Sequence, residues 1–168
     1  MEESKIISLD IATKTGWAFY DGTFKYGLIK TSPKDGEAKR LSYFRKELLK
    51  LFEKYEPTHV VMEDVYAGRN IKTLKLLAKF AGVAEECSMT EFNVDPYIIH
   101  TSTVKSYFKA KTKEILFDFV SEFLKGKFSF KKDNDIIDAF AQLICYYDDI
   151  LGKKKFRFEK EYGYLYKI

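Results

Sequence analysis

Histidine and cysteine are scarce in this chain, two of each among 168 residues, and proline appears three times. So few nitrogen and sulfur ligands argue against a zinc site, which gathers Cys and His in clusters. Cys87 and Cys145 are too few for a disulfide framework. Both fall inside apolar helical patterns, so they read as reduced core thiols of a cytosolic protein. No apolar run approaches the ~20 residues needed to span a bilayer. The opening Met-Glu-Glu-Ser-Lys has neither the basic start nor the apolar stretch of a signal peptide, so a soluble, cytoplasmic protein with no membrane partner is expected. A strong excess of one charge is also missing. The 29 basic and 25 acidic residues leave +4, a mildly basic balance that does not by itself identify a nucleic-acid partner. Repeats, linkers and low-complexity segments are absent.

Aromatic residues, by contrast, are abundant at 17%, with 15 Phe and 12 Tyr. Most belong in a core, because aromatic side chains bury large areas. A chain of 168 residues is most simply one domain. Strands are predicted over Lys5–Asp10, Gly16–Tyr20 and Phe24–Thr31, the last two joined by a hairpin at Asp21-Gly22. A helix follows over Glu37–Tyr55 with Leu41, Phe44, Leu48, Leu51 and Phe52 on one face, and Pro57 closes that segment. Then come a strand at His59–Glu63, a helix at Ile71–Ser88, a strand at Pro96–His100 and a short helix ending at Phe108. Two more helices are predicted, at Thr112–Leu124 and at Asn134–Ile150, the latter capped by Asp133 or Asn134. The order describes an α/β layer fold on a mixed sheet, with a hairpin meander first and parallel strands after it. Residues 1–152 form the predicted domain. Residues 153–168 form a basic tail in which Phe156, Phe158, Tyr162, Tyr164 and Tyr166 alternate as in a strand.

Four carboxylates fall where such a fold can gather them. Asp10 ends the first strand, and Glu63 ends the strand that runs parallel beside it. Asp135 and Asp138, three apart, share one helical face ~60° wide in the predicted first turns, where the helix dipole favours anions. Taken singly, Asp10 is an ordinary turn former, Asp135 a helix-start acid and Asp138 a solvated one. Together they would repel one another unless cations lie between them. All-oxygen ligands suit Mg²⁺, with Mn²⁺ as a substitute. Two such ions ~3.5–4 Å apart clamp the attacking water and the leaving oxygen of a phosphodiester. A ribonuclease H proper would carry its Glu on the first long helix, and a proofreading exonuclease would show Asp-x-Glu within strand one, where this chain has Asp10-Ile-Ala12. The turn Asp10-Ile-Ala-Thr-Lys-Thr-Gly16 is similar to the phosphate loop of actin-like sugar kinases, but the chain is too short for their second domain.

Four motifs in order resemble one family. They are Ile7-Ser-Leu-Asp10 with Thr15-Gly-Trp-Ala18, then Met62-Glu-Asp-Val-Tyr66 with Arg69-Asn70 and Leu74-Lys-Leu, then Val104-Lys105 with Lys113, and last Asp135-Ile-Ile-Asp-Ala-Phe-Ala141. Through them the chain, to about Tyr147, resembles the RuvC-type Holliday junction resolvases, as a divergent phage-type member. The resemblance implies an RNase H-like three-layer fold, a five-stranded mixed sheet flanked by helices. It implies that Asp10, Glu63, Asp135 and Asp138 are the catalytic acids holding two metal ions. Tyr66 matches an aromatic that stacks on a base, and Lys105 and Lys113 match basic residues near the scissile strand. It implies a homodimer acting on four-way DNA junctions, located in a host cytoplasm if phage-encoded. The chain departs from the family in a shorter Lys105–Lys113 loop and in lacking Pro-Gly after Asp10.

Arg69, Asn70, Lys72, Lys105, Lys109, Lys111 and Lys113 come from the two segments flanking the acids, where positive charge would neutralise backbone phosphates. Lys75 and Lys79 continue along their helix away from the site and read as a solvated face. Tyr66 reads either as a base-stacking residue, worth ~1–3 kcal/mol, or as a core aromatic beneath its loop. The stripe Leu74, Leu77, Ala81, Ala84 divides between core and a dimer seam, while Trp17, His59 and His100 read as structural. The expected function is a metal-dependent endonuclease making paired symmetric nicks in four-way junctions and leaving 5′-phosphate and 3′-hydroxyl ends. A catalytically silent junction-binding protein is one alternative. A same-fold nuclease acting on flaps, forks or RNA–DNA hybrids is the other.

Overall fold

The computed structural model describes residues 3–65 and 70–156, together with the backbone of 158–161 and 164–167. Three strands, β1 (Ile6–Asp10), β2 (Lys14–Tyr20) and β3 (Phe24–Lys30), form an antiparallel meander. Helix α1 (Glu37–Tyr55) leads to β4 (His59–Glu63), and α2 (Ile71–Phe92) leads to β5 (Tyr97–Ile99). Both later strands add in parallel, giving the sheet order β3-β2-β1-β4-β5. Helices α3 (Thr101–Phe108), α4 (Lys113–Leu124) and α5 (Phe130–Cys145) complete the body, and one π turn, Tyr146–Ile150, extends α5. The five-stranded mixed sheet between helical layers is the architecture expected. Among the described residues no helix is long and apolar enough to cross a membrane.

Side chains alternate across a strand, and β1 uses both faces. Ile7 and Leu9 enter the core beneath α1 and α2, with Phe44, Leu48, Phe52, Phe80 and Met62. Ile6 enters the other core, built around α5 with Val61, Phe140, Leu143 and Ile144. Along α1 the buried Phe44, Leu48 and Phe52 recur every four residues, which explains the helix and its docking face. Trp17 and the two cysteines are buried, as expected of core residues.

Several boundaries differ from expectation. Strand β2 begins at Lys14, two residues early, and α2 runs on to Phe92 before Asn93 ends it in the left-handed conformation. Of the expected apolar stripe Leu74 is only partly buried, and Phe80 and Cys87 are buried with Leu77, Ala81 and Ala84. In α4 the fully buried residues are Leu116, Phe117 and Val120, while Ile115, Phe119 and Phe123 are partly buried. Helix α5 begins at Phe130 rather than Asn134. Its cap is Ser129, whose backbone N–H donates to the Asp133 carboxylate at 2.8 Å. Asp133 thus acts on the first turn from inside the helix, and Asp135 and Asp138 lie beyond that turn. Their closeness to the helix dipole is lost as an argument, because the dipole acts only within the terminal turn.

The start of the tail joins the main body. Phe156 is buried against Tyr20, Phe24, Phe123 and Tyr147. The buried Asp148 carboxylate holds it there, accepting the Phe156 N–H at 2.9 Å and the Tyr107 hydroxyl at 2.5 Å. Beyond it, β6 (Phe158–Glu161) and β7 (Tyr164–Lys167) pair antiparallel.

Candidate active site

Two acids come from strand ends. In β1, Ser8 and Asp10 alternate with Ile7 and Leu9 and so face α5. In β4, Val61 and Glu63 do the same. The parallel register pairs Leu9 with Met62, so one step further brings Asp10 level with Glu63. Two acids come from α5. Its residues from Ile136 to Cys145 are buried almost all round, as expected of a helix enclosed by protein. Asp135, Asp138 and Gln142, spaced three and four apart, form its one polar stripe. The acids therefore do not lie on a solvated face. They line one cavity of about 250 Å³, together with Asp10, Glu63, Thr101, Lys105, Lys113 and Asn134.

Hydrogen bonds fix part of this set from below. Gln142 is buried. It accepts the Ser8 hydroxyl at 3.1 Å and donates from Nε2 to Glu63 at 3.5 Å. Thr101, at the start of α3, donates its hydroxyl to the other Glu63 oxygen. On the far wall, Lys113 Nζ lies 2.7 Å from Asp138 Oδ2.

The electrostatics follow from burial. Asp10 is only 6% exposed. Its pKa is raised well above the ordinary carboxylate value, first by burial and then by Asp138, Glu63 and Asp135. Burial also raises Asp138, against the pull of Lys113, to about 6. Burial alone would lower the pKa of Lys113, but Asp138, with Asp10 and Asp135 behind it, raises it overall. The cavity thus concentrates negative charge that its own lysines do not neutralise.

Among the described residues no three such groups close on a single point as a finished cation cage. Asp138 is engaged by Lys113. The donor set still fits hard divalent cations: four carboxylates on one cavity, oxygen only, with burial disfavouring the ionised forms of Asp10 and Asp138.

Six predicted residues therefore meet: Asp10, Glu63, Asp135, Asp138, Lys105 and Lys113. The others do not. Asn70 caps α2, accepting the Thr73 N–H at 2.9 Å, and Lys72 is exposed in the first turn of that helix. Lys109 closes α3 in the left-handed conformation and Lys111 is exposed beyond it, neither of them lining the cavity. Tyr66 and Arg69 lie outside the described residues. Sequence reasoning missed Ser8, Gln142, Thr101 and Asn134. Gln142 had a readable signal, an amide inside the apolar run Ala139-Phe-Ala-Gln-Leu-Ile, four residues after Asp138. Ser8 had one too, being two residues before Asp10 on the same strand face.

The family model for the crossover junction endodeoxyribonuclease RuvC matches residues 14–146, a span that includes Glu63, Asp135 and Asp138 but begins just after Asp10. The RuvC of Dictyoglomus turgidum is 31% identical over 125 residues, covering 73% of this chain and 78% of that protein. The RuvC of Fusobacterium nucleatum is 28% identical over 137 residues, covering 78% and 70%. Among solved structures, Thermus thermophilus RuvC in complex with a Holliday junction substrate superposes with a TM-score of 0.75. It has 17% identity, over 89% of this chain and 96% of that one, and so bears on the fold.

Proposed function

The chain belongs to the RuvC family of crossover junction endodeoxyribonucleases, and from that premise we propose that it is a metal-dependent Holliday junction resolvase whose active site is the acid-lined cavity between the sheet and α5. One observation carries the reading: Asp10, Glu63, Asp135 and Asp138 converge from three elements on one cavity that also holds Lys105 and Lys113. These four acids would hold two Mg²⁺ ions, with Mn²⁺ as a substitute. Divalent cations at such a site lower the pKa of water and stabilise charge on the attacking and leaving oxygens.

The chain's own residues do the rest. Asp10 and Glu63, on rigid strand ends, fix one side of the site, and Gln142 with Thr101 sets the rotamer of Glu63. Lys113, which contacts Asp138, and Lys105 in the same cavity would stabilise charge on the scissile phosphate. The products are a 5′-phosphate and a 3′-hydroxyl. Asn70, Lys72, Lys109 and Lys111 contact phosphates outside the cavity, Arg69 also contacts phosphate, and Tyr66 stacks on a base at the crossover.

Paired nicks need two sites related by a two-fold axis. The outer face of α2 supports a homodimer: Ile71 and Met89 are 70% and 50% exposed there, and the exposed Ala78 and Gly82 lie between them at seven- and four-residue steps. Cleavage of a labelled four-way junction, a flap, a fork, an RNA–DNA hybrid and plain duplex, with Mg²⁺ and with chelator, tests the function. Symmetric nicks on the junction alone, abolished by chelator, are expected. Junction binding without cutting in Mg²⁺ or Mn²⁺ would make the protein a silent binder, and equal cutting of flaps and forks would make it a broader nuclease.

A further inference from the structure

The acids reach the cavity from two separate bodies, the sheet and α5, and something must set the distance between them. At the contact lies Gly16 of β2, paired with Asp10 in the antiparallel ladder and on the α5-facing side with Ala18 and Tyr20. A methyl group at Gly16 would lie 2.1 Å from the Asp135 carbonyl oxygen, 2.2 Å from its carbonyl carbon and 2.6 Å from the Ile136 nitrogen. All three are backbone atoms, so no side-chain rotation relieves the overlap. Gly16 does not have a positive φ. Its missing side chain therefore serves close approach rather than backbone freedom.

We propose that Gly16 is a positioning residue of the active site. Its bare backbone lets α5 lie against β2 at Asp135, and this contact sets the separation between Asp10 and Glu63 on the strands and Asp135 and Asp138 on the helix. Ordinary contact begins near 3.4 Å, so any side chain at position 16 drives α5 back by about 1 Å. Functional constellations tolerate ~0.5 Å, and a retreat of about 1 Å would take Asp135 and Asp138 out of reach of cations held at Asp10 and Glu63. The inference rests on the metal-dependent reading above.

The fold supplies its own control. Gly27 of β3 pairs with Trp17, and a methyl group there would lie 2.7 Å from the Trp17 ring, in the core on the opposite side of the sheet. Gly16→Ala and Gly27→Ala are thus the same substitution, each with a severe overlap, on opposite faces of one sheet.

The test titrates both variants and the wild type with Mn²⁺ in the absence of DNA, by calorimetry and by the electron-paramagnetic-resonance signal of the ion pair. It then measures junction affinity in chelator and the single-turnover rate in Mn²⁺. Gly16→Ala should bind Mn²⁺ at least about tenfold more weakly, lose the ion-pair signal and cleave about 10²-fold more slowly. Its junction affinity should stay within about twofold of wild type. Gly27→Ala should melt earlier yet keep Mn²⁺ affinity and rate within about twofold. Should Gly16→Ala be unfolded in buffer, the same titration is made in trimethylamine oxide, which favours the compact state. Equal Mn²⁺ affinities for the two variants would overturn the proposal, as would a Gly16→Ala that cannot be recovered folded while Gly27→Ala can. A wild type that neither binds Mn²⁺ nor cleaves would instead overturn the metal-dependent reading itself.

Discussion

The two faces of the sheet are built from alternate residues of the same strands, yet they differ in kind. Toward α1 and α2 the strands contribute Ile7, Leu9, Val60 and Met62 to an apolar core with Phe44, Leu48 and Phe52. Its buried polar residues Thr15 and Ser88 are satisfied locally, Thr15 donating to the Ala12 carbonyl at 2.9 Å and Ser88 to the Val94 carbonyl at 2.6 Å. Toward α5 the same strands contribute Ser8, Asp10 and Glu63, whose partners Gln142, Asp135 and Asp138 are more than 70 residues away in sequence. One face is stable because it buries carbon. The other buries carbon too, in a core with Ile6, Val61, Phe140 and Ile144, and at its edge holds charge against the cost of burial. The contrast teaches that both faces bury carbon and strand alternation gives the chemistry to one of them, a single residue away from the apolar positions of the other.

Substitutions on either face should therefore have separable effects. The largest is expected at Asp138→Asn, which removes a cavity acid without changing its volume. Single-turnover cleavage should fall about 10³-fold or more, with little change in melting temperature. Phe44→Ala, on the other face, should do the reverse. It empties a fully enclosed site against Phe80, costing about 3–5 kcal/mol of stability by urea unfolding. The rate per folded molecule should stay within about twofold. Gln142→Leu is a finer probe, since it keeps the packing and removes one of the two hydrogen bonds that orient Glu63. A fall of about 10–100-fold in metal affinity, read by calorimetry, is expected.

The smallest effect is a pH trend confined to the α5 face. Asp138 titrates near 4 when unfolded but at about 6 in the folded protein. Between those values the folded state keeps a proton that the unfolded state has lost. In chelator, that contribution is complete below pH ~4 and disappears as pH rises through about 6, a loss on the order of 2 kcal/mol. Added Mn²⁺ should raise the melting temperature more at pH 8 than at pH 5. The destabilisation by Phe44→Ala should not change with pH.

Legibility in the sequence follows the same division. Asp10 and Glu63 could be read because each ends a short apolar run, and Asp135 with Asp138 because a spacing of three puts them on one helix face. The apolar face was legible from the four-residue repeat of Phe44, Leu48 and Phe52. What stayed hidden depends on contacts between distant segments. Ser8 meets Gln142 across 134 residues, and Gly16 meets the backbone of Asp135, which no local pattern reports. The start of α5 at Phe130, four residues early, was hidden because Phe130-Lys-Lys carries no apolar repeat and Asp133 supports the helix start from within. Lys109 and Lys111 were grouped with Lys105 and Lys113 by charge and proximity in sequence. The end of α3 turns their segment away, a direction that charge pattern does not encode. Phe156 belongs to the core through Asp148, so the first part of the tail is continuous with the body.

The central claim is that the cavity between the sheet and α5 cuts DNA, and Asp10→Asn tests it most directly. Junction affinity and single-turnover cleavage are measured on one preparation in Mg²⁺, beside wild type. Affinity within about twofold of wild type, with cleavage reduced at least about 10³-fold, is the predicted result. Cutting by Asp10→Asn at the wild-type rate would contradict the account.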